Sequence, residues 1–553
     1  MNPHDWNSLA SHYAALETEV LTADNARNWL QRWSDLDAKL TEAHSRAYRA
    51  VMEDTTDKTA EAVYMNLVEQ VLPKVKVAEN ALEQRFAALT DYDAPETREF
   101  QKRTRASLAI FAEANIALSV EETKLEAEYD KLIGGLSILL DGQELTMYGA
   151  LAKLLEPDRA LRQTVYEKLI AAWQAIRPKL EPMFMQLLRL RRQKARNAGF
   201  SDYRAFIWQA KARFDYSPAD CLEFHQSILQ HVVPITKKVY AQRRAAMQIE
   251  SIRPWDGAVN PSGLEPLRPF ADVQELQNQV EKVFSSVAPE FGAMFRTLRH
   301  KNLDLESRKG KGPGAYCDFF NASGEAYIFA NSVGTHDDIQ TMLHEGGHAF
   351  HAIESFGQQK LIWNYHGPME FCEVASMGME MLAQPYLEKT KGGMYTHAEA
   401  NRARSEHLFD AAIAFLPYMA CVDAFQHWLY VDAPEEVSIN DINTQWATLH
   451  AQFVPHLDYA GLEDSRAFRW QRQSHIFTAP FYYIEYGIAQ VGAIQVWRNA
   501  LQDQSQAVQA YRQAMQAGGT LSLRQLFATA GLELAFDSSH IKSLMQLVEA
   551  ALE

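Results

Sequence analysis

Cysteine is scarce in this chain of 553 residues: Cys221, Cys317, Cys372 and Cys421 stand far apart, and none forms a C-x-x-C pair. That spacing argues against a disulfide framework and against a zinc knot built on thiolates, and it leaves four buried thiols as the expectation. Positive charge is also short, with 54 Lys and Arg against 70 Asp and Glu, a formal charge of −16. Such a balance opposes association with phosphate backbones or anionic lipid, so neither nucleic acid nor a membrane is an expected partner. No basic start followed by an apolar run opens the sequence, which makes the cytoplasm the expected compartment. The longest apolar stretch, 408–431, is interrupted by Asp410, Pro417, Asp423 and His427 and reads as a buried core helix rather than a membrane span. No repeat of fixed period is found.

What remains is an ordinary globular composition, 47% apolar and 22% charged, on a chain long enough for two or three packed subdomains. The pattern is mainly α. Residues 1–200 read as a helical N-terminal lobe; within 158–197, for instance, Leu161, Val165, Leu169, Trp173 and Ile176 fall on one stripe, and "NAG" at 197–199 reads as a helix stop. Residues 201–553 form the second part, in which the Pro- and Gly-rich stretch 251–270 is a surface loop. Only 316–331 reads as β: "AYCDFF" and "AYIFANS" are two strands joined by a Ser323-Gly324 turn. Thr335, with Asp338 three residues on, then caps a helix running through Ile339, Met342 and Leu343 to about Ile353.

That helix contains "HEGGH", residues 344–348. Two interior glycines should each destabilise it by about 1 kcal/mol relative to Ala, so a close approach by a neighbouring segment or by a substrate is expected to offset them. His344 and His348, four apart, share one face and can hold one metal ion from a rigid support. Glu345 is turned toward the open side of that ion, where it can serve as general base for a water. A catalytic zinc needs a third protein ligand. His351 extends a straight row along the same helix and cannot converge with the first two. Glu354 would need a helix-breaking Gly where His351 stands. Glu370 and Glu373 lie beyond Gly367-Pro368, which opens a new helix at Met369. Spacing admits either glutamate. Glu380, seven residues beyond Glu373, can orient His344 or His348 through its free ring nitrogen, although a carboxylate at the core edge reads equally well.

The pattern H-E-x-G-H-x-x-H (His344, Glu345, Gly347, His348, His351), followed by E-x-x-S-x-x-x-E (Glu373, Ser376, Glu380), resembles the thimet oligopeptidase and oligoendopeptidase F group of zinc peptidases. "KGKGPGAYC", "YIFANSVGTHDD" and "HIFTAPFYYIEY" agree with it, so the likeness spans roughly 200–497. The resemblance implies a mainly helical fold whose two lobes enclose a deep channel, with a small sheet beside the metal helix and short peptides as substrates. It further implies one zinc on His344, His348 and Glu373, with Glu345 as base. The family carries a His followed by clustered tyrosines that bind substrate and stabilise the oxyanion, which points here to His475, then Tyr486, Tyr482 and Tyr483 in that order. "IFTAP" replaces the glycine-rich loop of thimet-type members.

The strand "AYIFANS" is expected to offer an open sheet edge to a peptide backbone at Phe329, Ala330 and Asn331, with Gly334 leaving room for the chain. A carboxypeptidase or dipeptidyl carboxypeptidase is the close alternative and requires a cationic residue for the substrate's terminal carboxylate. A helical protein that binds metal or peptide without turnover is the other, and Glu345 weighs against it. Cobalt or manganese would suit the same ligands.

Overall fold

A computed structural model describes residues 1–552. Helices dominate it, with two small sheets. The first segment is a run of helices, Trp6–Thr18, Ala26–Glu53, Lys58–Asn66, Leu72–Ala88, Arg98–Ile110 and Ala114–Gly134. The first five of these share an aromatic core around Trp29, Trp33, Phe86 and Phe100. That core is closed from the other half of the chain, since Trp363 stacks on Phe100 with ring centroids 3.9 Å apart.

A hairpin, Ser137–Leu140 with Gln143–Thr146, follows and was not foreseen. It is only four residues per strand, too short for an alternating pattern to stand out. The long helix Arg159–Asn197 matches the expected stripe at Val165, Leu169 and Trp173, which are buried, while Leu161 and Ile176 are half-covered. It ends where "NAG" placed the stop, with Gly199 at φ +80°.

The second sheet has the order Leu303–Glu306, Glu325–Ser332, Tyr316–Phe320. The anticipated hairpin is present and turns at Gly324, φ +66°. The strand Leu303–Glu306, missed in the sequence because "LDLE" is so brief, runs parallel to Glu325–Ser332 on its other side. The expectation of an open edge along "AYIFANS" therefore fails. Glu325–Ser332 is the central strand, both its hydrogen-bonding edges are occupied, and Phe329 and Ala330 are 0% and 1% exposed.

The helix His336–Phe356 starts on the expected capping box, with Thr335 and Asp338 bonded reciprocally, and continues three residues past Ile353. Met369–Ala383, opening at Pro368, and Tyr483–Gln502 pack on it in turn and form the centre of the main core. The run 397–432 is, among the described residues, the one helix long and apolar enough in composition to cross a membrane, and 67% of its apolar window is buried inside the protein. All four cysteines are free, three of them buried and Cys317 partly so.

Candidate metal centre

Gly347 sets the geometry of the centre. A Cβ there would lie 2.4 Å from Ala375 O and 2.6 Å from Ser376 Cα, so the backbone of Met369–Ala383 occupies the space a side chain would need. At Gly346 a Cβ would meet the Phe284 ring at 2.4 Å. Neighbouring protein, rather than a substrate, thus accounts for both glycines. The contact brings the turn before Ser376, which carries Glu373, against the histidine face of the first helix.

His344 Nε2 and His348 Nε2 each lie 3.3 Å from the same oxygen, Glu373 Oε2. Donors bound tetrahedrally at zinc distances of about 2.0–2.1 Å stand about 3.3–3.4 Å apart, so the three atoms fit one small divalent ion. His344 Nδ1 faces Glu380 Oε1 at 2.7 Å, which fixes the ring and leaves Nε2 free to ligate. Glu373 is 2% exposed and tied down further, because Ser376 Oγ donates to Oε2 at 3.0 Å and Tyr482 donates to Oε1 at 2.5 Å. Burial favours the neutral acid, yet His348 and His344 outweigh it and hold Glu373 far below the usual carboxylate range. Glu345, 5% exposed, is pushed above its ordinary value by burial, against the pull of His344 and His348, and its Oε2 has no hydrogen-bond partner.

The rival ligands point elsewhere. Glu370 accepts from the Tyr216 hydroxyl at 2.5 Å and lies 3.6 Å from Arg213 Nε. Glu354 is held by Arg512 and Gln516, both at 2.7 Å. His351 is packed between the rings of Phe371 and His366, where burial lowers its pKa to about 3.

Beside the triad stands a directional chain of side chains. Tyr418 donates to Gln473 Oε1 at 3.1 Å, and the Gln473 amide donates to His475 Nδ1 at 2.9 Å. That leaves the His475 proton on Nε2, facing the Tyr486 hydroxyl oxygen at 3.2 Å. Tyr486, whose ring centroid is 6.5 Å from that of His344, keeps its own hydrogen free. Burial holds His475 down at about 4, with Glu373 opposing, so it is neutral near pH 7. His475 sits in a one-turn helix, Ser474–Thr478, and the next helix begins at Tyr483, so Tyr482 is its cap. Tyr483 turns to the rings of Phe415, Tyr418 and His475.

Three residues that sequence reasoning passed over position this chain. Gln473 and Tyr418 set the tautomer of His475. Arg191, fully buried, binds Glu122 at 2.6 Å and the Ile476 carbonyl at 3.0 Å, anchoring the His475 turn to the N-terminal helices. Arg191 and Gln473 lie in polar runs and Tyr418 in an apolar one, so no spacing along the chain singled them out.

His475 and Tyr486 line a cavity of about 760 Å³, shared with Tyr48, Tyr64, Asp130, Tyr148 and Tyr316. Asn331 is also on its wall, where its amide donates to the carbonyls of Gly312 and Gly314 at 3.0 and 2.9 Å. Gly334 has φ +88°, a left-handed turn that glycine adopts without strain, which accounts for it without a substrate.

The fold and the sequence both have known counterparts. The chain superposes on PZ peptidase A, solved with an inhibitor, at a TM-score of 0.94 and 26% identity, over 99% of this chain and 97% of that one. It is 21% identical over 402 residues to the group B oligopeptidase PepB of Streptococcus agalactiae and 20% identical over 413 residues to an oligoendopeptidase F homolog of Lactococcus lactis. These stretches cover 71% and 73% of this chain but only 64% and 65% of the lengths of those relatives. The family model for peptidase family M3 matches residues 153–546, a span that starts before the long helix Arg159–Asn197 and takes in the triad, His475 and the tyrosines. On that match, the chain belongs to peptidase family M3.

Proposed function

We propose that the protein is a zinc-dependent oligopeptidase that cleaves short, unstructured peptides inside the cavity. The observation that carries the reading is the convergence of His344 Nε2 and His348 Nε2 on one Glu373 oxygen at 3.3 Å, the separation a tetrahedral ion needs. When bound there, zinc would supply Lewis-acid polarisation of a peptide carbonyl and of a water.

The chain's own groups do the rest. Glu345, raised in pKa and with a free oxygen, takes the proton of the attacking water and returns it to the departing amine. Tyr486, its oxygen occupied by His475 N–H, directs its hydroxyl hydrogen to the oxyanion that develops on the scissile carbonyl. Tyr482 steadies the ligand Glu373 in place of serving as the oxyanion donor. The substrate backbone pairs with the start of the edge strand Tyr316–Phe320, where Gly314, Ala315 and Tyr316 line the cavity. Residues 1–200 act as the covering lobe and 201–553 as the catalytic part, and the enclosure they make between them excludes folded proteins.

The test is metal analysis together with a quenched-peptide assay on wild type and Glu345→Gln. One zinc per chain in both, with kcat lowered by about 10²–10⁴ in the variant, is the expected result. Full activity in Glu345→Gln would remove the base from the mechanism.

A further inference from the structure

The cavity wall next to His475 carries two arginines that no acidic group neutralises. Arg469–Arg472 is a single turn of 3-10 helix, a geometry that repeats every three residues and so sets Arg469 and Arg472 on the same edge. The two residues between them are anchored inward: Trp470 donates to Asn443 at 2.7 Å, Gln471 donates to Glu181 at 3.1 Å, and both are fully buried. Arg469 and Arg472 face the cavity instead.

Among the described residues, no carboxylate lies within ion-pair distance of either guanidinium, and neither makes a hydrogen bond. Arg469 Nε and Arg472 Nη1 are buried donors without partners. The nearest relations of Arg469 are aromatic, with its guanidinium 5.2 Å from the Tyr418 ring centroid. Burial and the neighbouring Arg469 both work against the charge on Arg472. Buried donors left unmade are destabilising, and in a chain of charge −16, which has carboxylates to spare, two cations kept free of them signal a place for an external anion.

We propose that Arg469 and Arg472 form a carboxylate subsite that receives the free C-terminus of the bound peptide. The proposal rests on the peptidase reading for the nature of the ligand. A planar guanidinium matches a carboxylate with two parallel N–H donors. The terminal carboxylate is the one negative charge that every peptide carries whatever its side chains, so it suits an enzyme whose other contacts are to the backbone. The subsite lies on the same wall as the catalytic chain, reached from Tyr486 through His475, Gln473 and Tyr418 to Arg469. A terminus held there fixes the number of residues between it and the cleaved bond, so the pair acts as a ruler for length as well as an anchor.

The experiment uses four versions of one peptide with neutral side chains: free at both ends, N-acetylated, C-amidated, and C-amidated with a single Glu placed inside. Dissociation constants are measured on zinc-loaded Glu345→Gln, where binding is read without turnover, and kcat/KM on the wild type. Amidation is expected to weaken binding and lower kcat/KM roughly ten- to a hundredfold, the range for a charge-assisted hydrogen bond, while N-acetylation changes neither. In Arg469→Gln and Arg472→Gln the amide should bind about as well as the free acid. Equal binding of the free and amidated peptides to the Glu345→Gln protein would overturn the subsite, whether or not the arginine variants fold. Recovery of the amidated peptide by its internal Glu would overturn the C-terminal assignment in favour of an acidic side chain. Discrimination in binding with no cleavage by the wild type would leave the subsite standing and sink the peptidase reading instead.

Discussion

Gly347 and Ser376 are in backbone contact across two crossing helices: a Cβ on the first would lie 2.6 Å from Cα of the second. The helix carrying Ser376 is tied in place where the two meet, because Tyr511 donates a hydrogen bond to the same Ala375 carbonyl that a Cβ on Gly347 would press on. Gly347→Ala is therefore expected to destabilise the fold by about 1–3 kcal/mol, the usual range for overpacking, and also to weaken zinc binding by drawing Glu373 away from the histidines. Gly346→Ala presses on the Phe284 ring rather than on the ligand helix, so it should lower the melting temperature and leave zinc affinity unchanged. Thermal unfolding and chelator competition on the two variants separate these effects.

Glu380 holds the ring of the ligand His344, at 2.7 Å from Nδ1. Its replacement by Ala should reduce zinc affinity about 10–100-fold, as loss of an orienting carboxylate does, without altering the ligand count. Competition with a chelator of known affinity reads this directly; an unchanged dissociation constant would mean that packing alone orients the ring.

The two tyrosines are expected to separate by phenotype. Tyr486→Phe removes the hydroxyl hydrogen aimed at the oxyanion and should lower kcat by about 10²–10³ with KM little changed. Tyr482→Phe removes the 2.5 Å bond to Glu373 and should chiefly weaken zinc binding, with activity restored by added metal. Steady-state kinetics across a zinc titration tells the two apart, and the reverse assignment would appear as metal rescue of Tyr486→Phe.

Acid should unfold the protein through its buried histidines. Burial lowers the pKa of His456 to about 3, of His336 and His351 likewise, and of His366 to about 4. Each is neutral when folded, while the unfolded chain protonates them below the ordinary value of 6.5. Below that pH the unfolded state binds more protons, so stability falls as pH drops from about 6.5 toward the folded values. His456 stacks on Tyr240 with centroids 3.9 Å apart and belongs to no site described above. His456→Phe should flatten the slope of melting temperature against pH between about 4 and 6.5 without changing activity.

Much of this was legible in one dimension. A period near 3.6 revealed the helices, Thr335 and Asp338 marked the start of the metal helix, and Pro368 marked the start of its partner, because caps and periodicity are local properties of the chain. The pairing of His344 with His348 is likewise local, set by one turn of helix. The missed elements were short: four-residue strands carry too little pattern, and whether "AYIFANS" is an edge or a centre depends on "LDLE" some twenty residues earlier.

The sequence by itself determined the chemistry on offer: two imidazoles on one rigid face, a base between them, glutamates on a following helix, and a histidine ahead of a tyrosine cluster. Only the tertiary structure decided which glutamate converges, since Glu370 and Glu373 differ by less than one helical turn and Gly347 against Ser376 selects between them by steric contact. It also decided which tyrosine points where, and that Arg469 and Arg472 face a cavity instead of a carboxylate. Spacing along a helix fixes direction relative to its own axis, whereas convergence depends on how two axes cross, and that is set by which side chains are absent at the crossing.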